Sequence, residues 1–125
     1  MDINEVTQRV IGAAIDVQRS LGIGLLESSY AAALGQELTL RRMRYEREKP
    51  IEALYKGQSI GLGFRADFVV EGKVIVELKA AEIVVPAHRA QLLSYLRHSG
   101  CRIGLLINFH QTPLIKGIHR LVNHL

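Results

Sequence analysis

Near the start of the chain, apolar residues recur with helical spacing: Ile3, Val6, Val10, Ile11, Ala14, Ile15 and Val17, until LGIG breaks the pattern at Gly22 and Gly24. A second amphipathic stretch runs from Leu25 to about Met43, with Leu26, Tyr30, Ala33, Leu34, Leu38 and Leu40 on its apolar side. Arg41, Arg42 and Arg44 lie near its C-terminal end, where cations suit the helix dipole. After Pro50 the pattern changes to short β-branched segments separated by turn signals: IEALY, QSIGLGF, RADFVV and VIVELKA. Helical spacing returns from Val85 to His98, Gly100 is a natural C-cap, and RIGLLINF reads as a buried strand. LIKGIHRLV adds a last edge strand. This order predicts an α/β sandwich with a mixed sheet covered on both faces. A helix crossing from VIVELKA to RIGLLINF makes those two strands parallel.

The chain has 125 residues, without repeats, low-complexity tracts or linkers, and reads as a single domain spanning 1–125. One cysteine, Cys101, excludes an intrachain disulfide and a Cys-based zinc site; it reads as a small buried hydrophobe at a strand edge. No apolar run approaches the ~18–20 residues of a membrane span, and MDINEVTQRV lacks the basic-then-apolar order of a leader. The expectation is a soluble cytoplasmic protein with no membrane partner. A formal charge of +4 is compatible with a polyanionic partner without requiring one. The basic stretch RRMRYEREK, 41 to 49, reads by itself as a solvated face.

Charges inside RADFVVEGKVIVELKA, 65 to 80, change the picture. Alternation along VIVELKA puts Val74, Val76 and Leu78 on one side and Ile75, Glu77 and Lys79 on the other. On the preceding strand, Arg65, Asp67 and Val69 share a face. A two-residue turn at Glu71-Gly72 sends Asp67 and Glu77 to opposite faces, whereas a three-residue Glu71-Gly72-Lys73 turn pairs them. Two carboxylates and an ammonium on a covered sheet need either a salt-bridge cluster or a bound cation, and electrostatics alone leaves both open. Hard oxygen ligands suit Mg²⁺, which keeps several waters and takes other ligands from phosphates.

Asp67 followed by Glu77-Leu78-Lys79 on a hairpin, with helices before and after, resembles the PD-(D/E)XK nuclease superfamily. GLLESSY, with Gly24, Glu27 and Tyr30, resembles the GxxExxY signature of a family of small bacterial proteins within it. The resemblance runs from about Glu5 to about Ile118, and Ala66 stands where the superfamily name has proline. It implies a restriction-endonuclease-like sandwich, a central mixed β-sheet flanked by helices, and metal-dependent hydrolysis of nucleic acid, with DNA the expected substrate. Asp67 and Glu77 would bind Mg²⁺ or Mn²⁺, with the Leu78 carbonyl and Glu27 as further ligands, and Lys79 would position the attacking water. Gln91 and Tyr95 match a supporting Q-x-x-x-Y pattern, and His88 shares their helix face.

Glu27 is expected to be buried, with Gly24 allowing close approach to the sheet. Arg41, Arg42, Arg44, Arg65 and His88 are the candidate nucleic-acid contacts. A homodimer or a partner protein is compatible with the pattern. His98, His110, His119 and His124 show no ligand spacing and read as surface or core-edge residues. The alternative is a catalytically silent nucleic-acid or protein interaction module that has kept the fold.

Overall fold

The computed structural model describes residues 1–123; His124, one of the four histidines without ligand spacing, lies outside them. Helix α1 (Ile3–Leu21) begins where Asp2 accepts a hydrogen bond from the Glu5 N–H at 2.9 Å, and ends at Gly22, whose φ of 74° turns the chain away. Helix α2 (Glu27–Leu40) stops three residues before the expected end, and Arg42 leaves it with φ 59°. Strand β1 (Tyr45–Tyr55) starts five residues before Pro50. The charged run 45–49 is therefore part of a strand, in which Glu46, Arg47 and Glu48 remain exposed to solvent. Its partner explains this, because Tyr45 to Lys49 pair with Val70 to Ala66, the most strongly β-forming part of strand β2 (Gln58–Val70). Pro50 is tolerated because β1 is an edge strand.

Strand β3 (Val74–Lys79), helix α3 (Pro86–Ser99) and strand β4 (Ile103–Asn108) follow, then a 3₁₀ turn at Leu114–Gly117 and strand β5 (Ile118–Val122). The five strands lie in the order β1-β2-β3-β4-β5, with only β3 and β4 parallel, as the α3 crossing requires. Helices α1 and α2 cover one face through Val6, Val10, Val17, Leu34 and Leu38, packed on Phe68, Val70, Val74, Val76, Leu105 and Ile107. Helix α3 covers the other with Leu92 and Leu96 on Ala66, Val69, Ile75 and Leu106. That layer is thin: a Cβ on Gly104 would lie 2.9 Å from the Leu92 side chain, so β4 needs glycine there for α3 to dock. The alternation read from the sequence thus places each apolar set against its own helix layer. Cys101 is a free, partly buried cysteine beside the α3 layer.

Beyond the helices, the β1–β2 hairpin continues as a two-stranded arm that leaves Leu54, Tyr55, Ile60 and Leu62 exposed. No helix among the described residues is long and apolar enough to cross a membrane.

Candidate active site

The link between β2 and β3 decides where the acids go. Glu71 and Gly72 adopt positive φ, Lys73 donates its N–H to the Val70 carbonyl at 3.0 Å, and Val70 pairs with Val74. This is the three-residue connection, and it carries the register through Val69–Ile75 to Phe68–Val76. At the next position the backbone ladder gives way to side chains. The Asp67 N–H donates to Glu77 Oε1 at 3.0 Å, and the Leu78 N–H donates to Asp67 Oδ2 at 2.8 Å. Each carboxylate thereby satisfies a backbone donor on the opposite strand that would otherwise be orphaned in a half-buried place.

Burial and the Asp67 charge, in that order, push the Glu77 carboxyl up to about 8, against the opposing pull of the Asp67 N–H and the Lys79 charge. Lys79 is half-buried and makes no ion pair among the described residues, so it does not close a salt-bridge cluster with the acids. Its backbone is fixed on the far side. The Lys79 carbonyl accepts from the Phe109 N–H at 2.9 Å, and the buried Asn108 amide brackets Ala81, accepting from its N–H and donating to its carbonyl.

A cavity of about 320 Å³ opens beside the acids, lined by Glu27, Ser28 and Ala31 of α2, Arg47 and Glu48 of β1, Asp67 and Leu78. Glu27, the first residue of α2, is exposed rather than buried as expected. Partial desolvation raises its carboxyl above the ordinary range; Lys79 acts against that rise, Asp67 adds to it, and His88 acts against it. These charges therefore sense one another across the sheet end. Gly24 does not approach the sheet, since a Cβ there would meet nothing within 4 Å; its φ of 102° is what excludes other residues. Tyr30 is fully buried, stacked on Phe109 at 4.7 Å, and its hydroxyl donates to the Gly22 carbonyl at 2.7 Å while accepting from the Leu25 N–H at 3.3 Å. The GxxExxY spacing thus builds the loop that delivers Glu27.

From the other layer, His88 sits in the first turn of α3 with its Nδ1 accepting the Val85 N–H at 3.3 Å. Tyr95 stacks on Phe64 at 3.6 Å, and its hydroxyl is raised above its usual range by burial first, then by Glu77 and Asp67. Gln91 is exposed and hydrogen-bonded to no described residue, so its side chain is not drawn in with Tyr95.

The arginines divide. Arg41 is tied to Asp16 and, at 2.8 Å, to Glu37, which clamps α2 to α1 and leaves it no free charge for a phosphate. Arg42, Arg44 and Arg65 are exposed but line no part of the acidic cavity. Arg47 and Glu48 do line it, and neither stood out within the basic run of the sequence. His98 Nδ1 accepts from the Leu54 N–H, His110 meets the Leu25 carbonyl through Nε2 at 3.1 Å, and Arg89 meets His119, in keeping with edge and surface roles.

Among the described residues no three His, Cys, Asp or Glu side chains converge as a cation site. Asp67 and Glu77 alone meet, and Glu27 shares the cavity without joining them. A pair of carboxylates that repel each other in partial burial is nonetheless a donor set that fits a hard divalent ion retaining water. A family model described as the PD-(D/E)XK nuclease superfamily matches residues 4–121. Neither a curated protein nor a solved structure matches the chain.

Proposed function

Since the chain belongs to the PD-(D/E)XK nuclease superfamily, we propose that it is a metal-dependent phosphodiesterase acting on nucleic acid, with DNA the expected substrate. Within that superfamily, the spacing of Gly24, Glu27 and Tyr30 supports its placement in the GxxExxY branch. The observation that carries the activity is the Asp67–Glu77 pair at the end of the β2–β3 ladder, with Lys79 unpaired two residues on.

Asp67, Glu77 and the Leu78 carbonyl would hold Mg²⁺ or Mn²⁺. Such an ion, when bound, supplies a more acidic water at neutral pH and neutralises phosphate charge. The chain's own groups do the rest. Lys79 orients the attacking water and offsets charge developing on the phosphoryl oxygens. Glu27, above the ordinary carboxylate range, accepts a hydrogen bond from water in the cavity rather than serving as a direct ligand. Water oxygen bonds to phosphorus and gives up a proton to solvent, the opposite P–O ester bond breaks, and the departing oxygen takes a proton from solvent. Tyr95 supports the acids from α3, with His88 on the same side; Gln91 would join only by turning in from the surface. Arg42, Arg44 and Arg65 would add phosphate contacts.

That no third His, Cys, Asp or Glu side chain converges on the pair among the described residues favours a second function, a silent binding module on the same fold. Linear, nicked, branched and single-stranded DNAs and RNAs incubated with Mg²⁺ or Mn²⁺ separate the two. Divalent-dependent cutting of at least one substrate is expected, abolished in a folded Lys79→Ala variant. Equal activity in that variant would point to a contaminant and remove the catalytic assignment.

A further inference from the structure

Arg47 is a wall of two cavities. One is the acidic cavity; the other is a depression of about 510 Å³ between α2 and β1, lined by Ala32, Gly35, Gln36, Thr39, Leu40 and Tyr45 as well as Arg47. The guanidinium is held over the Phe68 ring, 5.5 Å from its centroid, and makes no ion pair among the described residues. Its neighbour Glu46 is instead bonded to Lys49 at 2.9 Å. A cation fixed on an aromatic face, next to acids and without a carboxylate of its own, is ready for an external anion. The depression owes its room to small residues. A side chain on Gly35 would reach within 3.5 Å of both Arg47 Cδ and the Tyr45 hydroxyl, and Ala32 borders the same space. Its volume falls in the ~300–1,000 Å³ range of small-molecule sites, and it joins an apolar lining to a few polar groups, among them the Thr39 and Tyr45 hydroxyls, bonded to each other at 2.8 Å.

We propose that this depression seats the nucleotide adjoining the scissile phosphodiester, with Arg47 gripping the phosphate between the two cavities. The subsite rests on the nuclease function proposed above and names where the flanking part of that substrate lies. Arg47 acts here as a binding residue, not a catalytic one. The track runs along α2 and β1.

The test measures binding of short fluorescein-labelled single-stranded and duplex DNAs by anisotropy across a salt series, in the full chain carrying Lys79→Ala so that the probe stays intact. Arg47→Met, which keeps apolar cover on Phe68, is expected to weaken binding by about tenfold, the usual scale for a lost charged hydrogen bond. It should also flatten the log K against log [salt] slope by about 0.7 for the single strand or about 0.9 for the duplex, the share of one phosphate. Arg47→Lys should restore the slope. Ala32→Phe, filling the depression, should weaken binding by a similar factor with the slope unchanged. Both Arg47→Met and Ala32→Phe should keep the Mn²⁺-induced rise in melting temperature. Wild-type affinity and slope in both variants would overturn the subsite while leaving the nuclease function standing, provided cutting and the Mn²⁺ response are present. A chain that neither binds these DNAs nor responds to Mn²⁺ overturns both.

Discussion

Glu77 is the residue at which structure and chemistry make opposite demands. Its Oε1 is needed to accept the Asp67 N–H, yet its charge is disfavoured by burial and by Asp67, which together hold the carboxyl at about 8. Glutamine separates the two demands, because it keeps the acceptor oxygen and drops the charge. In chelator, Glu77→Gln is expected to melt at or above the wild type. The gain should grow from about pH 4.5, where the unfolded glutamate ionises, to about 8, where the folded one does, and level off beyond. A structural salt-bridge partner would behave oppositely, costing ~3–5 kcal/mol when removed from a buried pair. Thermal melts in chelator across that range decide the sign. Clear destabilisation by Glu77→Gln at pH 8 would make the charges of this strand structural.

At the scale of elements, the loop from α1 to α2 hangs on one hydroxyl. Tyr30 ties the Gly22 carbonyl and the Leu25 N–H together, and Phe109 fixes its ring from the 109–110 segment after β4. Tyr30→Phe keeps the stack and orphans both backbone groups, so a loss of about 1–2 kcal/mol is expected in urea unfolding, with m unchanged. Amide exchange at Leu25 should quicken selectively; unchanged protection there would show that the hydroxyl bonds do not hold the loop.

Much of this level was legible in the sequence. Helical spacing marked α1, the long apolar run marked β4, and the crossing between Lys79 and Arg102 required the parallel pair. A three-residue turn is what the meeting of Asp67 and Glu77 requires, and the chain makes one at Glu71-Gly72-Lys73. What escaped was decided by partners far along the chain. Tyr45 to Lys49 carry no strand pattern of their own and become one only beside Ala66 to Val70, which is also why Arg47 and Glu48 were not expected at the acids. Glu27 was misplaced as buried because the helix that holds it begins at that residue, where the chain has just emerged from an exposed loop.

For the molecule as a whole, the proposed function links proton and metal equilibria through one pair of side chains. A carboxyl at about 8 binds a proton across the neutral range that the unfolded chain has already lost. The metal-free protein therefore loses this stability increment as pH rises from about 4.5 to about 8. A divalent ion held by the pair, as the proposed function requires, would displace that proton, so Mn²⁺ binding near pH 7 should release close to one proton and tighten with pH until about 8. Calorimetry in buffers of different ionisation enthalpy reads the proton count directly. A value near zero would mean that Glu77 is not displaced from its protonated form. At a hundredfold excess over the dissociation constant the ion should add ~2.7 kcal/mol to stability. The formal charge of +4 contributes to attraction of polyanions at a distance and does not alter this local balance.

The crossed bonds between Asp67, Glu77 and the two strands constrain how this chain can change over time. Whether or not a member of this lineage cuts nucleic acid, it is bound to keep acceptors for the Asp67 and Leu78 N–H groups, which bond to the two carboxylates. Asparagine at 67 and glutamine at 77 meet that need, whereas alanine or leucine leaves a half-buried donor without a partner. Relatives without nuclease activity should therefore carry amides at these two positions, and Lys79, whose side chain supports no backbone bond among the described residues, should be the first of the three to drift.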